Sequence, residues 1–170
     1  MSIFDLSGRT AVITGGNGGI GLGIAQALNA QGCNVSIWGR NAEKNKSAAA
    51  TMAAGPGKVD TVICDVSDPA SVKAAMKATL DKFGRVDGCF ANAGIGGGGR
   101  RAFIDRTEEE WRRMFATNLD GVFHVFQAAA RHMTEPPRPA TNSAGWSRPR
   151  AWHRCSAPRA TSTMPAPRRR

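Results

Sequence analysis

The stretch TGGNGGIG, at residues 14–21, decides the fold. It follows a short apolar run, Ala11-Val12-Ile13, and a helical spacing of apolar residues begins at Ile20. Glycine lets a backbone approach a ligand without interference from a Cβ atom. A helix that starts behind such a turn presents unpaired N–H groups and the positive end of its dipole, which together favour a bound anion. The sequence therefore predicts a phosphate-binding turn between a strand and a helix.

Strand and helix patterns alternate along the first 135 residues. Strand patterns occupy residues 10–14, 35–38, 59–64 and 86–91, and helical patterns start at residues 20, 41, 68 and 107. The last helix is predicted to run on through Met133, with Trp111, Phe115, Leu119, Val122, Phe126, Ala130 and Met133 on one side. Strands separated by helices of this length form right-handed βαβ units. We expect a Rossmann-like, doubly wound α/β fold with strand order 3-2-1-4, truncated after about four strands.

The positive charge is concentrated at the end of the chain. The formal net charge is +10, yet residues 1–135 hold 15 Lys and Arg against all 13 acids. Residues 136–170 hold 8 Arg, no acid and seven of the nine prolines. Such a composition buries too little apolar surface to order itself. We expect an incomplete cofactor-binding domain at residues 1–135 and a disordered, Arg/Pro-rich tail at 136–170.

Composition also restricts the function classes. The tail lacks aromatic residues in an arrangement that would stack bases, so nucleic acid is not expected as a partner. No apolar run approaches membrane-spanning length, and no signal-peptide core follows Met1. The four cysteines form no C-x-x-C pair, and three of them lie in or beside strand-like runs. We expect no metal site and a reducing, cytoplasmic setting.

Further motifs lie after the third and fourth predicted strands and on the last helix. Asp65 follows the third strand, Asn92-Ala93-Gly94 follows the fourth, and TNLDGVF occupies residues 117–123. Together with the glycine-rich turn, these motifs resemble the short-chain dehydrogenase/reductase family over about residues 3–135. The resemblance implies an oxidoreductase that uses a nicotinamide dinucleotide.

The resemblance implies a role for each residue of the cofactor site. Asp65 would hydrogen-bond the adenine amino group, with Val66 lining the same pocket, although a turn or capping carboxylate is the alternative for Asp65. Asn92, Ala93 and Gly94 would close over the ribose, although a plain turn is the alternative. Gly15, Gly19, Ile20 and Gly21 would wrap the pyrophosphate, and Asn17 of the same turn is counted with the cofactor-binding residues.

The end of the second strand distinguishes the two nicotinamide cofactors. An acid there would bind the ribose 2′-hydroxyl of NAD. Gly39 stands where that acid would be, and Arg40 follows it. A guanidinium can pair with a 2′-phosphate through two donors. The sequence therefore favours NADP(H), with NAD as the alternative cofactor and a solvated side chain as the alternative for Arg40.

The catalytic motif of the family is absent from this sequence. Family enzymes transfer a hydride to or from a small carbonyl or alcohol, using a tyrosine, a lysine four residues on, a serine and a helix asparagine. Asn118 matches the asparagine, and a mid-helix polar residue is its alternative. The chain has no tyrosine and no lysine after Lys82. His124, His132 and His153 are conceivable replacement bases, although ordinary histidines are the simpler interpretation.

Two functions follow from these observations. By family the chain is an NADP(H)-dependent dehydrogenase or reductase, and as written it is expected to be inactive, a dinucleotide-binding fragment. Members of the family form homo-oligomers, which is doubtful for this chain. Truncation would leave the fourth strand as an exposed edge that is prone to pairing with other chains. Trp111 and Phe115 would be exposed as well.

The tail allows a second interpretation. Read one nucleotide earlier, the Thr163–Met164 junction permits a tyrosine codon, and the Pro167–Arg168 junction permits a lysine codon four positions later. The Arg150–Ala151 junction permits a serine thirteen codons before that tyrosine. These are the spacings of the missing family motif. We hypothesise that residues from about 136–143 onward are an out-of-frame translation of a reductase gene.

The coding DNA tests this hypothesis directly. The shifted frame is expected to stay open, to contain a Tyr-Ala-x-x-Lys codon run and to require an AGG or AGA codon for Arg168. Sequencing the gene provides the measurement. Stop codons in the shifted frame, or a CGN codon for Arg168, would contradict the hypothesis in this form.

Overall fold

The structure is a computed structural model that describes residues 4–96 and 102–134. Strands and α-helices alternate through this part of the chain. The strands are β1 (Thr10–Thr14), β2 (Asn34–Gly39), β3 (Val59–Ile63) and β4 (Gly88–Phe90). The α-helices are α1 (Gly19–Ala30), α2 (Ala42–Ala50), α3 (Pro69–Phe83), α4 (Glu108–Phe115) and α5 (Gly121–Thr134). A 3-10 turn at Phe103–Asp105 precedes α4, and a π-helical turn at Ala116–Asp120 joins α4 to α5.

The four strands form a parallel sheet in the order β3-β2-β1-β4. The predicted Rossmann-like fold class and the predicted strand order are therefore confirmed. β4 is shorter than its apolar pattern suggests, because only Gly88, Cys89 and Phe90 pair with β1. Within the described residues, β4 has β1 as its strand neighbour and forms an edge of the sheet. The predicted tail and the predicted division at residue 135 lie outside the described residues.

Apolar side chains cover the sheet on both faces. Val12 faces one side with residues of α3 and α5, such as Val72 and Val125, whereas Ala11 and Ile13 face the other side with α1 and α2. Successive residues of a strand point to opposite faces, so β1 contributes to both clusters. All five residues of β1 are buried. A central strand that is buried on both faces is typical of a parallel sheet between two helical layers.

A polar group lies inside one of these clusters. The indole Nε1 of Trp38, 1% exposed, donates to Ser36 Oγ at 3.1 Å and to Thr79 Oγ1 at 3.0 Å. The two hydroxyls also bond to each other at 2.8 Å. Buried polar groups need such partners, because an unpaired one costs free energy. These bonds therefore link β2 to α3 and give the buried indole N–H its partners.

Of the three cysteines in the described part of the chain, two are buried and one is half-buried. Cys33 and Cys64 are buried, and Cys89 is partly covered. Burial raises the pKa of Cys64 and of Cys89 to about 11. Both thiols are therefore protonated at neutral pH, and they pack as small apolar groups.

Local sequence signals set several helix ends where the sequence predicts them. Asp68 caps α3 by accepting from Ala70 N, and Gly84 ends that helix in the left-handed conformation with φ of 75°. Thr107 and Glu110 form a reciprocal capping box at the start of α4. The helix α2 ends at Ala50. Thr51 Oγ1 bonds to the carbonyl of Ala48, and turns follow.

The predicted long helix after residue 107 is present as a continuous helical segment from Glu108 to Thr134, but a π-helical turn interrupts its regular period. The π-helical turn at residues 116–120 inserts extra chain and shifts the face that points inward. In α5 the buried residues are Gly121, Val125 and Ala129. The predicted apolar stripe is largely exposed, with Trp111 at 48%, Leu119 at 58% and Phe126 at 48%. The exposure predicted for Trp111 and Phe115 is confirmed.

Asp87 joins β1 and β4 at the amino end of the sheet. Its Oδ2 accepts from Thr10 N at 2.9 Å, and its Oδ1 accepts from Arg9 Nη1 at 3.1 Å. Arg85 donates to the same carboxylate. Burial acts to raise the pKa of Asp87, but these hydrogen bonds and the Arg85 charge outweigh it and lower the pKa. The ionised carboxylate therefore stabilises the fold above the pKa of an unfolded aspartate.

Replacement of this carboxylate is expected to weaken the fold in a pH-dependent way. Asp87→Asn should lower the free energy of unfolding by about 1 kcal/mol at pH 7. The difference should vanish as the pH falls through the lowered pKa of Asp87, since the wild-type group is then neutral as well. Urea unfolding at pH 7 and at a pH below the lowered pKa of Asp87, followed by circular dichroism, measures both effects.

Asp81→Asn provides the control, because Asp81 forms only an exposed pair with Lys77. A constant difference between Asp87→Asn and wild type at every pH would contradict the assigned role of the carboxylate.

Candidate functional site

The residues singled out by sequence motifs converge on the carboxyl edge of the sheet. Parallel strands end at one edge, so the segments that follow β1, β2, β3 and β4 become neighbours. These segments contact one another. A Cβ added to Gly15 would lie 3.0 Å from Ala93 Cα, and one added to Gly39 would lie 2.5 Å from Asn17 Nδ2. Arg40 faces Asp65. Ligands of doubly wound folds bind at this edge, which makes it the candidate site.

Gly15, Gly19 and Gly21 are positions of the glycine-rich turn that a residue with a side chain would not easily occupy. Gly15 and Gly19 have positive φ values of 64° and 52°, a region that side chains rarely adopt. A Cβ on Gly21 would lie 2.4 Å from the carbonyl oxygen of Gly15 and 2.5 Å from Asn92 Nδ2. The first turn of α1 is therefore held directly against the end of β1.

The amino end of α1 has no side-chain cap. Its N-cap is Gly18, and its first turn carries no acidic residue. In contrast, α2, α3 and α4 are capped by the side chains of Asn41, Asp68 and Thr107. Uncapped N–H groups and the helix dipole attract an anion. Ile20, which is 79% exposed, is the first side chain of the helix after Gly19.

Thr14 and Asn92 join the carboxyl ends of β1 and β4. Thr14 Oγ1 accepts from Ala93 N at 2.9 Å, and Asn92 Nδ2 donates to the carbonyl of Thr14 at 3.1 Å. These bonds hold the segment containing Ala93 and Gly94 beside the glycine-rich turn. Nothing in the motif singles out Thr14 for this role. Its signal is a hydroxyl side chain at the last position of a buried strand.

Asp65 and Arg40 lie together after β3 and β2. Asp65 Oδ1 accepts from Ser67 Oγ at 2.6 Å and from Ser67 N at 3.0 Å, and its Oδ2 lies 3.9 Å from Arg40 Nη1. The hydrogen bond from the Ser67 side chain lowers the pKa of Asp65, burial opposes it, and the Arg40 charge assists. Asp65 is therefore ionised at neutral pH, with one oxygen occupied and the other facing a cation.

Val66 and the last helix pack against each other. Val66 is 6% exposed, and a Cβ added at Gly121 would lie 2.7 Å from Val66 Cγ2. The carbonyl of Val66 bonds to His124 Nδ1 at 3.1 Å. Because a carbonyl only accepts, that nitrogen carries the proton. Val66 thus contacts α5 and lies next to Asp65.

Asn118 lies in the π-helical turn and contacts the loop after β4. Its Oδ1 accepts from Ile95 N at 2.8 Å, and its Nδ2 donates to the carbonyl of Ile95 at 2.9 Å. Of the conceivable replacement bases, His132 Nε2 accepts from Val86 N at 3.2 Å, and His124 is bonded to Val66. Both histidines therefore hold backbone groups. His153 lies outside the described residues.

Asn45 is a residue at this edge that motif reasoning misses. It is 1% exposed and bonds to both Asn17 and Gly39. A signal was present in the sequence, because residues 45, 48 and 52 form the helical spacing of a buried face and one of them is polar.

Within residues 4–96 and 102–134, no cluster of three or more His, Cys, Asp or Glu could hold a metal ion.

The parallel sheet, its two helical layers and the glycine-rich turn define a doubly wound α/β protein. The family model for short chain dehydrogenases matches residues 9–140. The chain belongs to the short-chain dehydrogenase/reductase family. Members of this family bind nicotinamide dinucleotides. In the described part of this chain, no helix is long and apolar enough to cross a membrane.

Three similar proteins show the range of the family. The chain is 39% identical over 130 residues to a 3-oxoacyl-[acyl-carrier-protein] reductase of Chlamydia muridarum, covering 75% of this chain and 51% of the relative. It is 39% identical over 132 residues to a gluconate 5-dehydrogenase of Gluconobacter oxydans, covering 77% and 50%. A 3-ketoacyl-(acyl-carrier-protein) reductase of Brucella melitensis, solved in complex with NADH, is 33% identical with a TM-score of 0.69, covering 75% and 50%. The chain therefore spans about half the length of these relatives.

Two glycines of α1 provide a test of the packing at the site. Gly21→Ala should lower the free energy of unfolding by about 1–3 kcal/mol, because its methyl group would overlap the backbone of Gly15. Gly23→Ala, two residues on, meets nothing within 4 Å. It should raise the free energy of unfolding by up to about 1 kcal/mol, the helix-propensity difference.

Urea unfolding of both variants beside wild type measures the two effects. Equal changes in the two variants would show that the close approach of α1 to the turn is not as described.

Proposed function

We propose that this chain is the cofactor-binding half of an NADP(H)-dependent short-chain oxidoreductase, acting in the cytoplasm on a small carbonyl or alcohol substrate. The observation that carries the proposal is the uncapped amino end of α1, set against a turn that excludes a Cβ at Gly21. A pyrophosphate fits such a site, since it accepts several N–H donors and carries negative charge. Cys33, Cys64 and Cys89 are free thiols, as expected of a reducing compartment.

In this proposal each element of the edge binds one part of the dinucleotide. Gly15, Gly19, Ile20 and Gly21 surround the pyrophosphate, with Asn17 beside them. Asp65 accepts from the adenine amino group through the oxygen that Ser67 leaves open, and Val66 supports that pocket. Asn92, Ala93 and Gly94 lie against the ribose on the nicotinamide side. Their position is supported by the bonds of Thr14 to Ala93 and Asn92.

The preference for NADP(H) rests on the end of β2. Gly39 offers no carboxylate to a ribose 2′-hydroxyl, and the side chain of Arg40 is 62% exposed. Its ion pair with Asp65 is long, at 3.9 Å, so the guanidinium is available to a 2′-phosphate. NADH is the competing cofactor, because the Brucella melitensis relative was solved with it.

Binding and turnover are separate properties of this chain. A bound nicotinamide would supply the hydride in the family reaction. The sequence as written contains no tyrosine that could exchange a proton with the substrate oxygen. Asn118, the residue that matches the catalytic asparagine, holds Ile95 through both atoms of its amide. We therefore propose that the chain as written binds the dinucleotide without turnover, and that Asn118 orders the loop beside the nicotinamide.

Removal of the Arg40 charge tests the cofactor preference. Arg40→Ala should weaken NADPH binding by roughly 10- to 100-fold, the value of lost charge-assisted hydrogen bonds. NADH binding should change by less than about twofold, because NADH has no 2′-phosphate. Fluorescence titration of the reduced cofactors with wild-type and variant protein measures both affinities.

Arg112→Ala is the matched control, since Arg112 is an exposed arginine of α4 paired with Glu108. Its affinities should equal those of wild type. Equal losses for NADPH and NADH in Arg40→Ala, or no loss for either, would reject the assignment of Arg40.

A further inference from the structure

Asn45 is a fully buried amide at the junction of three elements. It lies in α2 and is 1% exposed. Its Nδ2 donates to the carbonyl of Gly39 at 2.9 Å and to that of Val62 at 3.2 Å. Its Oδ1 accepts from Asn17 Nδ2 at 2.6 Å. One side chain therefore ties the ends of β2 and β3 to the glycine-rich turn.

The cost of burying this amide points to a role beyond packing. A buried amide requires partners for its donors and its acceptor, whereas an apolar side chain would fill the same space without that requirement. Both N–H groups of Asn45 are used on carbonyls, and these bonds orient its oxygen. That oxygen receives the side chain of Asn17, a residue of the turn. The amide thus determines where the turn residue lies.

Gly39 depends on the same arrangement. A Cβ at residue 39 would lie 2.5 Å from Asn17 Nδ2 and 2.6 Å from Asn45 Oδ1. Asn45 cannot move aside without losing its bonds to Gly39 and Val62. Any side chain at residue 39 must therefore break the hydrogen bond between Asn17 and Asn45. An aspartate or glutamate at this position is excluded for the same reason.

We infer that Asn45 is a positioning residue of the dinucleotide site, which holds Asn17 over Gly39 and thereby keeps the end of β2 open for a 2′-phosphate. The inference rests on the proposed function, since it concerns the same site. It adds a specificity determinant that touches no cofactor atom. The preference for NADP(H) that residues 39 and 40 determine is thus stabilised by a residue of α2.

The closing experiment compares two buried asparagines. Asn29 of α1 is 2% exposed and donates to the carbonyl of Gly57 at 2.6 Å, so Asn29→Ala removes a similar bond from a different place. Asn45→Ala should weaken NADPH binding about tenfold, whereas Asn29→Ala should change it by less than about twofold. Both variants should lower the thermal midpoint. Hydrogen exchange of the peptide covering residues 15–21, without cofactor, should be faster in Asn45→Ala and unchanged in Asn29→Ala.

Gly39→Ala is a second test of the same hydrogen bond, and it can be carried out even if Asn45→Ala does not fold. It should also speed exchange at residues 15–21 and weaken NADPH binding about tenfold, because its methyl group displaces the Asn17 amide. In the double variant, adding Gly39→Ala to Asn45→Ala should weaken NADPH binding by less than about a further twofold. The bond between Asn17 and Asn45 that Gly39→Ala disturbs is already absent there.

The outcomes separate this inference from the proposed function. If wild type binds neither NADPH nor NADH, yet exchange at residues 15–21 rises in Asn45→Ala and Gly39→Ala, then Asn45 still positions the turn, but the proposed function and the cofactor-specificity role of Asn45 are both rejected. If wild type binds NADPH and those two variants leave affinity and exchange unchanged, the positioning role is overturned and the proposed function stands. Equal effects of Asn29→Ala and Asn45→Ala would reduce Asn45 to a purely structural residue.

Discussion

The structure depends on the close contact between the first turn of α1 and the end of β1. Gly21 lies so near the carbonyl of Gly15 that no side chain fits between them. That contact places the amino end of α1 beside the end of β1, and the N-cap residue there, Gly18, has no side chain that could cap the helix. It also places the turn within reach of Asn92 from β4 and of Asn45 from α2. The carboxyl edge is therefore organised around a close approach of two backbone segments, and the side chains of Asn92 and Asn45 pack against the turn that results.

Much of the fold could be predicted because its signals are local. The apolar run of β1, the cap of α3 by Asp68 and the capping box at Thr107 each need only a few neighbouring residues. The strand order follows from alternation of strands and helices, which is a property of the whole sequence. The convergence of the motif residues on one edge follows from that order, since parallel strands end together.

The missed features are those that depend on contacts between distant elements. The apolar period continues smoothly through residues 116–120, so nothing in it reveals a π-helical turn or shows that Gly121, Val125 and Ala129 point inward. Asn45 and Thr14 acquire their roles from partners 28 and 79 residues away. Only the mismatch of a polar residue on a buried helical face hinted at the former. Side-chain pairing of this kind becomes visible only when the elements are assembled.

The amide of Asn118 has a consequence for the path of the chain after β4. It donates to and accepts from the same residue, Ile95, as the backbone of an adjacent strand would. A primary amide carries the same donor and acceptor as a peptide unit, so one side chain imitates a single rung of a ladder. Ile95 is thus bound through its N–H and its carbonyl by a side chain of the π-helical turn, five residues after strand pairing ends at Phe90. A surrogate peptide group therefore anchors the chain at the point where the candidate site opens.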